Sequence, residues 1–121
     1  MKYILLVHHD EVAFQQRSET ERHQLLRESV QLANELHADR KYLSAAPLHP
    51  SAETRCVQVR NGVRFVTDGP FAETREQLGG YFLIEAKDID EALEIAARIP
   101  GGRLGTVEVR PVAEVDGLPD S

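Results

Sequence analysis

Nine consecutive residues, Asp68-Gly69-Pro70-Phe71-Ala72-Glu73-Thr74-Arg75-Glu76, crowd four charged side chains around one turn. Gly69 tolerates positive φ, and Pro70 fixes its own φ and lacks an amide hydrogen, so backbone chemistry accounts for a sharp turn here. It does not account for the charges. A carboxylate at a strand end beside glycine can meet a ligand at close backbone approach, which makes Asp68 the leading candidate for a functional acid. The plainer role for Asp68 is a turn aspartate bonded to nearby amides. Arg55, Gly69, Pro70, Phe71, Glu73 and Arg75 complete a candidate ligand-binding or structural loop.

His23 is the second candidate. It shares a helix side with Leu26 and Val30, and an imidazole turned toward the sheet could form a proton-transfer pair with Asp68. A half-exposed helix histidine is the plainer reading. His8 and His9 end a strand and point to opposite faces, and with Asp10 and His49 they lack the spacing of a zinc motif, so no metal is expected. Cys56 stands alone, which excludes an internal disulfide and leaves a small packing residue. Gly79-Gly80 precedes a strand rather than opening a helix, and neither a phosphate loop nor a nucleophile elbow is present. No cofactor is expected.

The elements that must position these residues follow from periodicity. Residues 2–8 are a short apolar run that reads as a buried strand. Ser18-Glu19-Thr20-Glu21 is a capping box opening a helix over 19–38, whose apolar stripe is Leu25, Leu26, Val30, Ala33 and Leu36. Residues 41–46 read as a strand closed by Pro47. Residues 55–60 and 63–68 flank Asn61-Gly62, the preferred pair for a two-residue hairpin turn. That turn fixes register: Arg60 faces Val63, Val57 faces Val66, and Arg55 meets Asp68 on one side of the ribbon. An arginine opposite a carboxylate favours its charged form, which suits binding or structure rather than base catalysis. After a loop over 68–80, residues 81–86 form a strand. Asp88 caps a second helix, which Pro100-Gly101-Gly102 stops, and residues 106–112 form the last strand.

The order is strand, helix, strand, hairpin, strand, helix, strand. With the hairpin as an insertion, this is an α+β, ferredoxin-like βαββαβ domain over 1–112. Residues 113–121 form an acidic C-terminal tail. One face of such a sheet is left uncovered, which predicts a homodimer with sheet faces packed together.

The chain has 121 residues, 41% hydrophobic and 28% charged, which suits one globular domain. A net charge of −6 argues against general nucleic-acid binding. Arg55, Arg60, Arg64 and Arg75 cluster in sequence and read as a solvated hairpin face. The apolar start is too short for a signal or a membrane span, so a cytoplasmic setting with no membrane partner is expected.

The run from Val66 to Ala86 resembles the signature of the DGPF-type, YCII-related family of small bacterial proteins. Val107-Glu108-Val109-Arg110-Pro111, residues 1–7 and Asp88-Ile89-Asp90-Glu91-Ala92-Leu93 are similar to its other strands and its second helix. The resemblance implies a dimeric α+β barrel of ferredoxin-like protomers. Some members of that branch are encoded with, or fused to, extracytoplasmic-function sigma factors, which implies sensing or regulation. A few relatives in the wider superfamily are enzymes on small ring compounds through a His–Asp pair. Alignment through Leu36-His37 and Leu43-Ser44-Ala45-Ala46-Pro47 places Ser29 at that histidine's position, with His23 about two turns earlier.

Two readings follow. One is a dimeric small-molecule-binding or regulatory protein. The other is a cofactor-free lyase or isomerase acting by proton transfer through His23 or Asp68.

Overall fold

Alternation in Lys2–His9 (β1) sends Tyr3, Leu5 and Val7 into the core and leaves Ile4 and Leu6 half-buried on the opposite face. In the computed structural model, which describes residues 1–119, every other strand of the main sheet is arranged around that central one. Gln77–Glu85 (β5) and Gly105–Pro111 (β6) flank β1, and Tyr42–Pro47 (β2) lies outside β5, all antiparallel, in the order β2-β5-β1-β6. Arg55–Arg60 (β3) and Val63–Asp68 (β4) form a separate two-stranded ribbon. This is the α+β ferredoxin-like arrangement, with the hairpin inserted between β2 and β5.

The hairpin has the expected bounds and register, with Arg55 facing Asp68 and Val57 facing Val66. Asn61 and Gly62 carry φ of 51° and 76°, the double positive φ that a tight primed turn demands. Strand β5 differs from expectation. It starts at Gln77 rather than Tyr81, because Gly79-Gly80 lies inside the strand. The pairing passes from Val7–Gly80 to His8–Leu78, so Gly79 is an unpaired extra residue. The loop after the hairpin therefore spans only residues 69–76.

Three helices cover one face. Glu11–Gln15 (α1) is a single short turn that periodicity does not announce; Asp10 caps it by accepting the Ala13 amide at 3.1 Å. Glu19–Ala38 (α2) has the expected bounds, and Ser18 Oγ accepts the Glu21 amide at 3.1 Å. The reciprocal half of the capping box is replaced, since the Glu21 carboxylate takes Arg17 Nη1 at 3.3 Å. Ile89–Ala97 (α3) is capped by Asp88, which accepts the Glu91 amide at 2.9 Å. A short 3-10 turn at Pro100–Arg103 follows.

The packing of α2 departs from the expected stripe. Only Leu32 and Leu36 are buried, while Leu26 and Val30 are half exposed. Helix α2 is thus fastened to the sheet by its C-terminal half alone. The core beneath comprises Tyr3, Leu5, Phe82 and Ile84 of the sheet, Leu32 and Leu36 of α2, and Ala92, Ile95 and Ile99 of the α3 region. No charged side chain among the described residues is buried.

The other sheet face carries no helix. Ile4, Leu6, Tyr81 and Leu83 run across it half-buried, edged by a Ser44–Tyr81 hydroxyl contact of 2.9 Å and a His8–Glu108 contact of 3.1 Å. Beyond Val112 the described chain is irregular, with Glu114 3.7 Å from Lys2. The last two residues of the expected tail, 120 and 121, lie outside the described residues. Among the described residues no helix is long and apolar enough to cross a membrane.

Candidate ligand-binding cleft

Where the N-terminal half of α2 stands off the sheet, it opens a cleft of about 560 Å³. That size falls in the range of small-molecule sites. Leu25, Val30 and Ala33 line its helical wall; Ala45 and Pro47 of β2, with Phe82 of β5, line the sheet wall, and Ile99 and Leu104 close the far side. Among these apolar surfaces sit a few polar groups: His9, Arg22, Ser29, Asn34, His37 and the Tyr42 ring. The chain carries twenty acidic residues, yet among the described residues no carboxylate lines the cleft. Among the described residues its one formal charge is the Arg22 guanidinium.

Each polar group is held by local structure. His9 follows Val7 on the helix-side face, and its ring lies 5.1 Å from the Phe14 ring of α1. It also lies flat against Gly79, where a Cβ would come within 2.5 Å of Nδ1. The bulge therefore supplies the space that the ring occupies. Among the described residues the His9 side chain makes no hydrogen bond, so both ring nitrogens remain free to meet a ligand. Arg22 Nη1 donates to the carbonyls of Gln15 (3.2 Å) and Arg17, tying the α1–α2 connection while placing its charge at the cleft wall. Ser29 Oγ donates to the Leu25 carbonyl at 3.0 Å. The His37 ring meets Tyr42 edge-on at 6.2 Å.

The residues singled out in the sequence lie elsewhere. Asp68 is 90% exposed and its carboxylate is 3.6 Å from Arg55 Nε, the partner that register assigns it. His23 is 60% exposed and turns to Glu19 one helical turn away, at 3.8 Å. Neither lines the cleft, and Asp68 sits beside Arg55 and His23 beside Glu19 rather than beside each other. Gly69 has φ of 89° and donates its amide to the Thr54 carbonyl at 2.7 Å, closing the foot of the hairpin. Cys56 Sγ points at the Gly69 carbonyl at 3.4 Å, a packing position at the same foot.

The 69–76 loop is bonded mainly to itself and to the end of β1. Gln77 Nε2 donates to the carbonyls of Thr74 (2.7 Å) and Ala72 (3.2 Å). Arg75 Nε donates to Asp10 Oδ2 at 3.2 Å. Glu11, beside Asp10, accepts both the amide (2.8 Å) and the hydroxyl (2.7 Å) of Ser51. Asp10, weighed in the sequence only as a metal ligand, and Glu11, which sequence reasoning passed over, hold the two connections flanking the hairpin. No group of three or more His, Cys, Asp or Glu among the described residues is placed to hold a metal.

Two partners dominate the environment of the Asp10 carboxyl. The Ala13 amide, and after it the Arg75 guanidinium, hold its carboxyl below the ordinary carboxylate value. A lowered folded-state pKa gives stability that is complete above the unfolded-state value and lost as pH falls through the folded one. Asp10→Asn keeps an oxygen for Ala13 and removes the charge. Wild type should therefore be more stable than Asp10→Asn at neutral pH, with the gap closing below about pH 4, in urea unfolding at both pH values. A gap that persists in acid would show that the ion pair is not its cause.

Comparison with known proteins bears on the whole chain rather than on the loop alone. The YCII-related domain matches residues 1–116. The chain belongs to the YCII-related family. An uncharacterized protein of Rhizobium meliloti (strain 1021) is 36% identical over 121 residues, covering 93% of each chain. In this YCII-related chain Ser29 lies in the cleft wall.

Proposed function

We propose that this YCII-related protein binds a small apolar acid in the cleft beneath α2, as a dimeric binding or regulatory protein. The observation that carries this reading is the cleft's composition among the described residues: mostly hydrocarbon, one guanidinium, two imidazoles and no carboxylate, in a chain of net charge −6. An anion is repelled by most of this acidic surface and accepted here. Hydrocarbon walls favour burial of a ring or short chain, while Arg22 and His9 offer hydrogen-bond donors to its acid group. A regulatory role agrees with the resemblance to DGPF-type proteins, some of which accompany sigma factors.

The enzyme reading has less support. Ser29 occupies the cleft where a base is wanted, and its hydroxyl is already spent on the Leu25 carbonyl. Asp68 and His23 would have to leave their partners to meet. The dimer is supported by the half-apolar open face, whose cations Lys2 and Arg110 and anions Glu85 and Glu108 suit a self-complementary two-fold contact.

A thermal-shift series with benzoate and salicylate against the neutral benzamide tests the ligand class. The acids should raise the melting temperature of wild type and Asp68→Asn by several degrees at saturating concentration, as binding to the folded state alone requires. Ser29→Phe, which fills the cleft, should show no shift. Equal shifts in Ser29→Phe and wild type would place the ligand elsewhere.

A further inference from the structure

The β3–β4 ribbon is the part of the molecule least explained by its own contacts. Val57, Val59, Val63, Phe65 and Val66 are each half or more exposed, and no residue of either strand is fully buried. A lone two-stranded ribbon is marginal in water, and one with apolar side chains on both faces invites pairing. Its foot, by contrast, is firmly held by the Gly69–Thr54, Ser51–Glu11 and Arg75–Asp10 contacts. A ribbon fixed at one end, about 20 Å long at the rise of a strand, is a directed arm.

Charge indicates what the arm meets. Residues 55–68 hold three arginines and one aspartate, a net +2, which leaves −8 on the rest of a chain whose total is −6. The valine face carries Val57, Val59 and Val66 together with Arg55 and Arg64. We infer that this face packs against the acidic body of a second copy of the chain, making the hairpin a dimer arm. The inference rests on the dimer proposed above and extends it beyond the open sheet face. A polyphosphate partner suits the arm less well. Three arginines are split between its two faces, Asp68 stands against one of them, and the body behind is strongly anionic.

Sedimentation velocity on the full chain, with circular dichroism as a check on folding, tests the arm. Wild type should sediment as a dimer at micromolar concentration. Val57→Thr/Val66→Thr keeps strand propensity and changes only exposed positions, and it should weaken the dimer about tenfold or more. Arg64→Glu should do the same without altering an apolar residue, and raised salt should weaken the wild-type dimer in parallel. Leu6→Lys, on the open sheet face, separates the two claims. If Leu6→Lys dissociates the dimer while both arm variants leave it intact, the arm is overturned and the sheet-face dimer stands. If the arm variants dissociate it and Leu6→Lys does not, the arm stands and the sheet-face contact falls. A wild-type monomer throughout overturns both, and tight binding of a short DNA duplex that Arg64→Glu abolishes would replace the second copy with nucleic acid.

Discussion

Leu36→Ala should destabilise the chain by about 3 kcal/mol, within the roughly 2–5 kcal/mol typical of a buried leucine cut to alanine. Leu36 has no exposed surface, and with Leu32 it supplies the only buried side chains of α2. The remaining stripe, Leu25, Ser29 and Ala33, is half-buried and borders the cleft. Neighbours cannot collapse into the space left at Leu36 without moving the helix. The result should be a melting temperature lower by on the order of 10 °C and a loosened cleft. Urea unfolding measures the first, and amide exchange along residues 25–38 the second. A cost below about 1 kcal/mol would show that α2 is fastened elsewhere.

The second large effect is expected at Gly79. Strand propensity alone predicts that Gly79→Val stabilises β5, because valine suits a strand and glycine does not. The geometry predicts the reverse. A Cβ at Gly79 would overlap His9 Cε1 and approach Nδ1, so the imidazole must leave its place beside Phe14. Overpacking of this kind costs about 1–3 kcal/mol, and the displaced ring would enter the cleft and exclude ligand. The double variant His9→Ala/Gly79→Val removes the overlap. If the ring is the cause, the double variant should be more stable than Gly79→Val alone, a coupling that a thermodynamic cycle of urea midpoints reads directly. Additive costs would mean that valine disturbs the bulge backbone instead.

Residues 55–68 show what a sequence can specify locally. Asn61-Gly62 admits one kind of turn, the turn sets the register, and the register brings Arg55 to Asp68. Helix caps at Ser18 and Asp88 are legible for the same reason: one side chain satisfies one amide three residues on. Gly79-Gly80 misleads because glycine usually marks a loop, whereas here Gly79 makes room for a ring seventy residues earlier in the chain. The stripe read along α2 rightly included Leu36 but also took in Leu26 and Val30, which are half exposed, and left out Leu32; nothing local decides which of these meet the sheet. The cleft was hidden for the same reason. Its walls come from β1, α1, α2, β2, β5 and the segment after α3, and none of their segments looks unusual alone. The charged run after Asp68 drew attention because its charges are adjacent in sequence. In space two of them, Asp68 and Arg75, serve the foot of the hairpin, through Arg55 to Asp68 and Arg75 to Asp10.

The central claim is that an apolar acid enters beneath α2. Amide chemical-shift mapping with salicylate on ¹⁵N-labelled full chain tests it most directly. The account predicts saturable shifts at Ser29, Val30, Ala33, Ala45, Gly79 and Gly80, and their loss in Ser29→Phe. Shifts confined to Ile4, Leu83 and Glu108 on the open sheet face, or to the 69–76 loop, would contradict it.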